Sequence, residues 1–256
     1  MVGRQLFITD FGKEIALAAK KILLEVEAIN YKTLAYKGEL FGNLKISIVS
    51  TAKYAMPYFL THFMEQNKGV DLQMDVTNKG RVVKHLEANE IDFAMVSVIP
   101  DHLKLETIQL MKNKLYLVAK KGHPLTEKRI TRSAISKMPL IFREQGSATR
   151  AAMENFLTQA QIPATKKITL TSNEAVKQAV IAGLGFSVLP LIGIKNALAN
   201  GDLEIIPMKG LPLITNWNLV WLSSKKLSPT AEAFKKYILE HKNDIIEHNF
   251  SWFEGY

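Results

Sequence analysis

Short apolar runs alternate with amphipathic helical segments over most of the chain, and this alternation constrains the fold more than any other feature. Strands that alternate with helices pair in parallel, and helices cover both faces of the sheet. A first series of strands and helices is predicted at residues 44–50, 54–66, 70–76, 81–88 and 91–97. A second series runs from residue 140 to residue 189. The sequence therefore predicts an α/β protein with two lobes.

The segments around these two series complete the predicted lobes. Residues 105–111 and 114–119 are expected to form a hairpin joined at Lys112–Asn113, which carries the chain from one lobe to the other. A last helix is expected after Ser228 as cap and Pro229 at its first position. The domain boundaries predicted from these patterns are a first lobe of residues 38–119 and 220–250, a second lobe of residues 120–219, and a tail of residues 251–256.

Residues 1–37 form a separate unit, because a helical pattern with a 3.5-residue repeat begins after Thr9, a plausible N-cap. The repeat places Ile15, Ile22, Ile29 and Tyr36 seven residues apart, with Ala19, Val26 and Thr33 four residues after the first three. One narrow apolar stripe of this kind needs a partner. We favour a second copy of the chain, which predicts a homodimer or tetramer, over the alternative of a long helix packed on the body of the protein.

Composition and charge limit the function. The chain has no cysteine, which excludes disulfides, thiolate metal sites and cysteine nucleophiles together. Its net charge of +9 is typical of proteins that bind nucleic acid or anionic ligands. Residues 120–219 hold 13 basic and 6 acidic residues, so most of the excess lies in the second predicted lobe. This location favours a small anionic ligand there.

Neither membrane insertion nor secretion is predicted. The longest apolar stretch, residues 179–194, contains three glycines and a proline and is too short to span a bilayer. The first thirty residues have the pattern of a charged amphipathic helix and not of a secretory signal. We therefore expect a cytoplasmic protein without membrane contact.

Three predicted strand-to-helix junctions carry short hydroxyl or amide side chains, in residues 50–53, 146–150 and 171–174. Ligands of open α/β sheets bind outside the carboxyl ends of the strands, where helix N-termini offer free N–H groups. Arg143 and Arg150 flank the second junction and could bind a carboxylate or phosphate with two hydrogen bonds. The alternative is that Ser147, Asn173 and their neighbours only cap helices. Three such junctions together favour a shared ligand cleft.

Catalytic signatures are missing from the sequence. It contains no G-x-x-x-x-G-K-[ST], G-x-S-x-G, H-E-x-x-H or G-x-G-x-x-G motif. The six histidines are scattered, and the weak pair His241 and His248 is better explained as exposed helix surface. We therefore predict that the chain is not an enzyme and needs neither a metal nor a cofactor.

Several longer motifs resemble the LysR-type transcriptional regulators. Four of them match family signatures: residues 3–12 (GRQLFITDFG), 38–46 (GELFGNLKI), 89–94 (NEIDFA) and 121–125 (KGHPL). Three others are similar to the regulators of Calvin-cycle (RuBisCO) operons within that family: residues 50–54 (STAKY), 143–154 (REQGSATRAAME) and 172–185 (SNEAVKQAVIAGLG). Gly210-Leu211-Pro212 and Trp217 agree with the same subgroup.

The resemblance implies a type II periplasmic-binding-protein-like effector domain, whose cleft between two lobes senses a small metabolite. It implies ligand contacts by seven residues of this chain: Ser50, Thr51, Ser97, Ser147, Thr149, Arg150 and Asn173. For the Calvin-cycle subgroup the implied effectors are anionic, such as phosphorylated sugars, phosphoenolpyruvate or a reduced nicotinamide phosphate.

The resemblance also implies a winged helix-turn-helix domain of roughly sixty residues before Met1, joined through a wing remnant and a linker helix. We expect the chain to be a shortened form of such a regulator, which contacts DNA only through that domain. Two alternatives remain open at this point. One is a stand-alone solute-binding protein of the same fold, and the other is a two-lobed transferase.

Overall fold

The computed structural model describes residues 8–35, 40–123 and 132–256. The helices are α1 (Asp10–Ala35), α2 (Met56–Gln66), α3 (Lys79–Glu87), α4 (Arg132–Ser136), α5 (Ala148–Gln159), α6 (Asn173–Ile181), α7 (Leu191–Ala199) and α8 (Pro229–Phe250). The strands are β1 (Phe41–Val49), β2 (Gly69–Thr77), β3 (Phe93–Val96), β4 (Leu105–Lys120), β5 (Pro139–Arg143), β6 (Lys166–Leu170), β7 (Ser187–Pro190), β8 (Leu203–Ile205) and β9 (Leu213–Leu222). The predicted wing remnant, Tyr36 of the helix stripe and part of the KGHPL turn lie outside the described residues.

The first predicted lobe contains a parallel core sheet. Strands β1 and β2 pair in parallel over nine residues, and β3 lies parallel to β1 on its other side. Strand β9 then pairs antiparallel with β3, which gives the order β2-β1-β3-β9-β4-β7 with β8 beside β4. Helix α2 packs on α8 through Phe63, whose ring centroid lies 5.1 Å from that of Phe234. The predicted strand–helix alternation of this lobe is confirmed.

The predicted hairpin at Lys112–Asn113 is wrong, because β4 is one continuous strand of 16 residues. Both halves of β4 pair antiparallel with β9 in the same direction, with a register irregularity between Gln109 and Met111. Lys112 of the predicted turn is exposed on the strand, whereas Asn113 and the following Lys114 are buried and donate hydrogen bonds. Asn113 donates a hydrogen bond to the Thr215 hydroxyl, and the Lys114 ammonium donates to the Phe253 carbonyl oxygen at 2.7 Å. The chain therefore passes between the lobes as a strand.

Strand β5 of the second lobe is buried on both of its faces. Leu140 and Phe142 of β5 pack in one hydrophobic cluster with α4 and α5, whereas Ile141 between them belongs to the other cluster with α6 and α7. Alternate residues of a strand point to opposite faces, so such a division requires helices on both sides. Strands β5 and β6 pair in parallel, and a bridge from Leu140 to Phe186 places β5 beside the segment that leads into β7.

Helix caps follow the sequence closely, but two helices, α4 and α7, are not predicted. Thr9 caps α1 through a hydrogen bond from the Gly12 amide, and Ser228 caps α8 by accepting one from the Ala231 amide. Helix α7 begins directly after Pro190, with the apolar residues Leu191, Ile192 and Ile194 at its start and Lys195 and Asn196 exposed in its middle. Periodicity alone does not distinguish a strand from a helix in a short apolar run such as the one that leads into α7, so the helix is not evident from the sequence.

The apolar stripe of α1 is not covered by the described body of the protein. Ile15, Ile22 and Val26 are 53%, 65% and 48% exposed. The predicted tail, in contrast, packs against the protein as a 3₁₀ helix, Ser251–Gly255, with Phe253 buried. Among the described residues, no helix combines the length and apolar character needed to cross a lipid bilayer.

Candidate functional site

The three predicted junctions lie at the carboxyl ends of β1, β5 and β6. Strand β1 ends at Val49 and delivers Ser50 and Thr51, which precede a 3₁₀ turn, Ala52–Tyr54. Strand β5 ends at Arg143, followed by the N-terminus of α5, and β6 leads into the N-terminus of α6. The carboxyl ends of parallel strands are where α/β sheets bind ligands.

Ser50 connects the two lobes directly. Its hydroxyl oxygen accepts a hydrogen bond from Nη2 of Arg143 at 3.2 Å and another from Nδ2 of Asn173 at 3.3 Å. These contacts join residues that are 93 and 123 positions apart in the sequence. We call the region around Ser50, Arg143 and Asn173 the cleft.

Arg143 is the most constrained residue of the cleft. Its side chain is 3% exposed and binds both carboxylate oxygens of Glu144, at 2.8 Å from Nε and 2.9 Å from Nη2. Within the described residues, the buried Nη1 atom has no hydrogen-bond partner. A buried guanidinium N–H without a partner is costly, so this atom is a donor available to a ligand.

Asn173 offers the complementary acceptor. Ser172, and not Asn173, caps α6 by accepting a hydrogen bond from the Ala175 amide at 3.0 Å. Asn173 is 4% exposed, and its Oδ1 atom has no hydrogen-bond partner within the part of the chain that the structure describes. The capping alternative therefore does not account for Asn173. The cleft holds one unpartnered donor and one unpartnered acceptor on neighbouring side chains.

The second junction contributes structural contacts to the cleft. Ser147 caps α5 by accepting a hydrogen bond from the Arg150 amide at 3.5 Å, so the capping alternative describes Ser147. The Arg150 side chain donates to Glu154 at 2.9 Å and to the Arg143 carbonyl oxygen at 3.0 Å. Arg150 thus contacts the backbone of the residue that meets Ser50. Thr149, beside it on α5, is 6% exposed.

Thr51 and Ser97 complete the predicted set on the first lobe. Thr51 precedes the 3₁₀ turn, but its side chain makes no capping hydrogen bond and is 6% exposed. Ser97 is half-buried and directly follows β3, whose neighbour in the sheet is β1. Both residues lie at the same end of the sheet as Ser50, and Thr51 directly follows Ser50 in the chain.

The structure adds residues that the sequence did not assign to the site. Glu144 binds Arg143, and Tyr54 lies near Glu174, the neighbour of Asn173. Burial and the Glu174 carboxylate raise the pKa of Tyr54, while Arg143 opposes this shift. Hydrogen bonds from Gln178 and Lys177 lower the pKa of Glu174. Tyr54 stands in the STAKY motif and Glu174 in the SNEAVKQAVIAGLG motif. The sequence therefore indicates both residues, but it does not indicate that they lie close together.

Across residues 8–35, 40–123 and 132–256, no group of three or more acidic and histidine side chains is placed to hold a metal ion. The arrangement can recognise a small polar ligand through the Arg143 donor, the Asn173 acceptor and the N-termini of α5 and α6.

Comparisons with known proteins agree with this architecture. The family model for the LysR substrate binding domain matches residues 37–243. A RuBisCO operon transcriptional regulator of Acidithiobacillus ferrooxidans is 34% identical over 244 residues, which are 95% of this chain and 79% of that protein. The HTH-type transcriptional activator CmpR of Synechocystis sp. is 31% identical over 245 residues, 95% of this chain and 81% of the relative.

Solved structures include a similar domain with a ligand. The CcmR regulatory domain of Synechocystis PCC6803, in complex with 2-PG, superposes with a TM-score of 0.74 at 30% identity. The alignment covers 79% of this chain and 98% of that one.

The fold and the cleft together define an effector-binding domain of a transcriptional regulator, with a sheet shared between two lobes. The chain belongs to the LysR family, and its relatives include regulators of RuBisCO operons. The predicted family, fold class and subgroup resemblance are confirmed.

The pair of Arg143 and Glu144 predicts a specific loss of stability. We expect Glu144→Gln to lower the free energy of unfolding by about 2 kcal/mol, because it leaves a buried guanidinium without its carboxylate. Glu154→Gln is the matched control, since the Glu154 side chain is 44% exposed and its pair with Arg150 is worth about 0–1 kcal/mol. Urea unfolding of both variants measures the difference. Equal losses would contradict the buried pair as described.

Proposed function

We propose that the cleft binds a small anionic metabolite and that the bound ligand controls transcription. The main support for this proposal is that Ser50 accepts hydrogen bonds from both Arg143 and Asn173. Within the described residues, Nη1 of Arg143 and Oδ1 of Asn173 have no hydrogen-bond partner. A ligand with an anionic group and a hydroxyl satisfies both atoms. The N-termini of α5 and α6 add free N–H groups and positive dipole ends.

Glu144 sets a condition on the ligand. Its carboxylate already holds two donors of Arg143, so an anion meets a guanidinium whose charge is largely balanced. The anionic group then binds Nη1 together with the helix N-termini, or it displaces Glu144 from Arg143. In either case recognition depends on hydrogen-bond geometry more than on net charge. The 2-PG held by the CcmR regulatory domain supports a ligand of this small size and makes 2-PG the first compound to test.

Ligand binding acts through the two lobes. A ligand shifts an equilibrium only by the difference between its affinities for two arrangements. In our proposal the ligand binds Arg143 and Asn173 of the second lobe together with Ser50 of the first. It then stabilises the arrangement in which these three residues are in contact. In our proposal this shift passes through α1 to a DNA-binding domain, as expected for relatives named HTH-type regulators.

The remaining parts of the proposal follow from this assignment. The protein is a cytoplasmic regulator and not an enzyme, and its cleft takes an effector in place of a cofactor. The ligand-contacting set comprises Ser50, Thr51, Ser97, Ser147, Thr149, Arg150 and Asn173, to which we add Arg143. The lobe boundaries stay those of the sequence prediction, with β4 contributing to both lobes.

Loss of one cleft amide tests the ligand site. We expect 2-PG to raise the melting temperature of the chain and Asn173→Ala to weaken its binding at least about tenfold, since one unmet hydrogen bond to a charged ligand costs about 1.5–3 kcal/mol. Thr149→Ala and Arg150→Ala are expected to weaken it as well. Thermal shift measures the change in melting temperature, and calorimetry measures the affinity. Phosphoenolpyruvate, a phosphorylated sugar and a reduced nicotinamide phosphate are tested in the same assays.

Asn200→Ala serves as the control, because Asn200 is exposed at the C-terminus of α7. This variant should bind as the unaltered chain does. If none of the four compounds shifts the melting temperature, or if the cleft variants bind them normally, the assigned cleft is wrong.

We further propose that α1 dimerises with a second copy through its apolar stripe. The exposed Ile15, Ile22 and Val26 side chains support this proposal, because the described body of the protein leaves them uncovered. We expect the chain to be a dimer or tetramer by light scattering at micromolar concentration. Ile22→Lys should reduce the assembly, because a charge at a core position of a coiled coil is desolvated without a partner.

Leu17→Lys is the matched control for this test. Leu17 is 62% exposed but lies outside the seven-residue stripe, so its replacement should leave the assembly intact. A strictly monomeric chain, or equal effects of both substitutions, would contradict dimerisation through the stripe.

A further inference from the structure

A second cavity lies between the lobes, apart from the cleft. It has a volume of about 250 Å³, and its walls come from three places in the chain. Tyr54 and Tyr58 belong to the first lobe, and Lys177 and Lys195 belong to helices α6 and α7 of the second. Asn249 and Phe250 end α8, and Trp252 lies in the 3₁₀ helix that follows it. None of the residues that line it is among the predicted ligand contacts or is Arg143.

The charge of this cavity favours an anion. The residues that line it include two lysines and no acidic residue. Lys177 is balanced by Glu174, whose carboxylate oxygen lies 2.9 Å from its ammonium. The Lys195 ammonium lies 4.4 Å from the centroid of the Trp252 ring, and no carboxylate within the described residues pairs with it. One exposed ammonium is therefore available to an anionic group at this position.

The walls favour a ligand that is also planar. Tyr54, Tyr58, Phe250 and Trp252 present aromatic rings, and Tyr58 is 50% exposed although it is aromatic. Gly193 of α7 packs closely on Tyr54, since a Cβ atom at Gly193 would lie 3.0 Å from the Tyr54 ring. A ring stacks on such walls or meets them edge-on, while its anionic group reaches the lysines.

Size sets a further limit on the ligand. Pockets for drug-sized ligands run from about 300 to 1,000 Å³, so a cavity of about 250 Å³ takes a smaller molecule. We propose that this cavity is a second binding site, for a small aromatic carboxylate or phosphate monoester. The site joins both lobes at Tyr54, which lies near Glu174, the neighbour of Asn173, but none of its lining residues is an assigned ligand contact of the cleft.

Phenyl phosphate is a suitable probe because it combines one ring with one phosphate. In calorimetry of the full chain, we expect one saturable site that binds phenyl phosphate at least about tenfold more tightly than inorganic phosphate or benzyl alcohol. Lys195→Gln and Trp252→Leu should each weaken the binding about tenfold, because they remove the ammonium and the ring that support it.

Two controls separate this site from the cleft and from general charge effects. Lys236→Gln removes an exposed lysine of α8 and should leave phenyl phosphate binding unchanged. Asn173→Ala should do the same, and saturating 2-PG should not displace the probe. Binding of phenyl phosphate is expected whether or not 2-PG binds the cleft. Failure of one proposal therefore does not imply failure of the other. Absence of saturable binding, loss of binding in Asn173→Ala, or normal binding in Lys195→Gln would overturn the second site.

Discussion

The buried guanidinium of Arg143 is the interaction on which the cleft depends. A charge with 3% exposure is tolerated only when it is paired and hydrogen-bonded, and Glu144 and Ser50 supply most of what it requires. One of these partners belongs to its own lobe and the other to the opposite lobe. The position of Arg143 therefore links the local stability of the second lobe to the contact between lobes. The Nη1 atom of Arg143 has no partner within the described residues, which favours a ligand as its hydrogen-bond acceptor.

The scaffold explains why Arg143 can be held in this way. It ends a strand whose alternate residues are buried in two different hydrophobic clusters, so its backbone is fixed from both faces. Arg150 binds the carbonyl oxygen of Arg143 and adds a second restraint. Strand β4 meanwhile runs unbroken from one lobe to the other, with Lys114 bonded to the main-chain oxygens of Phe253 and Tyr256. The lobes are thus joined by paired strands and not by a loose linker.

Much of this could be predicted from the sequence, because the controlling signals are local. Alternating periodicity predicts the strands and helices, and Thr9 and Ser228 cap the helices that they precede. The junctions at the strand ends predict where Ser50 and Asn173 lie. The contact between them depends on tertiary packing over 123 residues, which no local pattern encodes. The hairpin error has the same origin, because Asn113 and Lys114 donate hydrogen bonds to partners that are distant in sequence.

Charge was the least informative signal. The excess of basic residues in residues 120–219 predicts an anionic ligand, yet both arginines of the cleft are already paired with carboxylates, Arg143 with Glu144 and Arg150 with Glu154. Specificity at such a site depends on the arrangement of donors and acceptors around a largely balanced charge. This distinction separates the cleft from the second cavity, where the Lys195 ammonium has only an aromatic ring beside it among the described residues.

A crystal structure of the chain with 2-PG tests the central claim most directly. The account predicts that an anionic group of the ligand lies within hydrogen-bond distance, about 2.7–3.2 Å, of Arg143 Nη1, with Asn173 and Ser50 also in contact. A ligand bound elsewhere, with Arg143 Nη1 and Asn173 Oδ1 still without partners, would contradict the account.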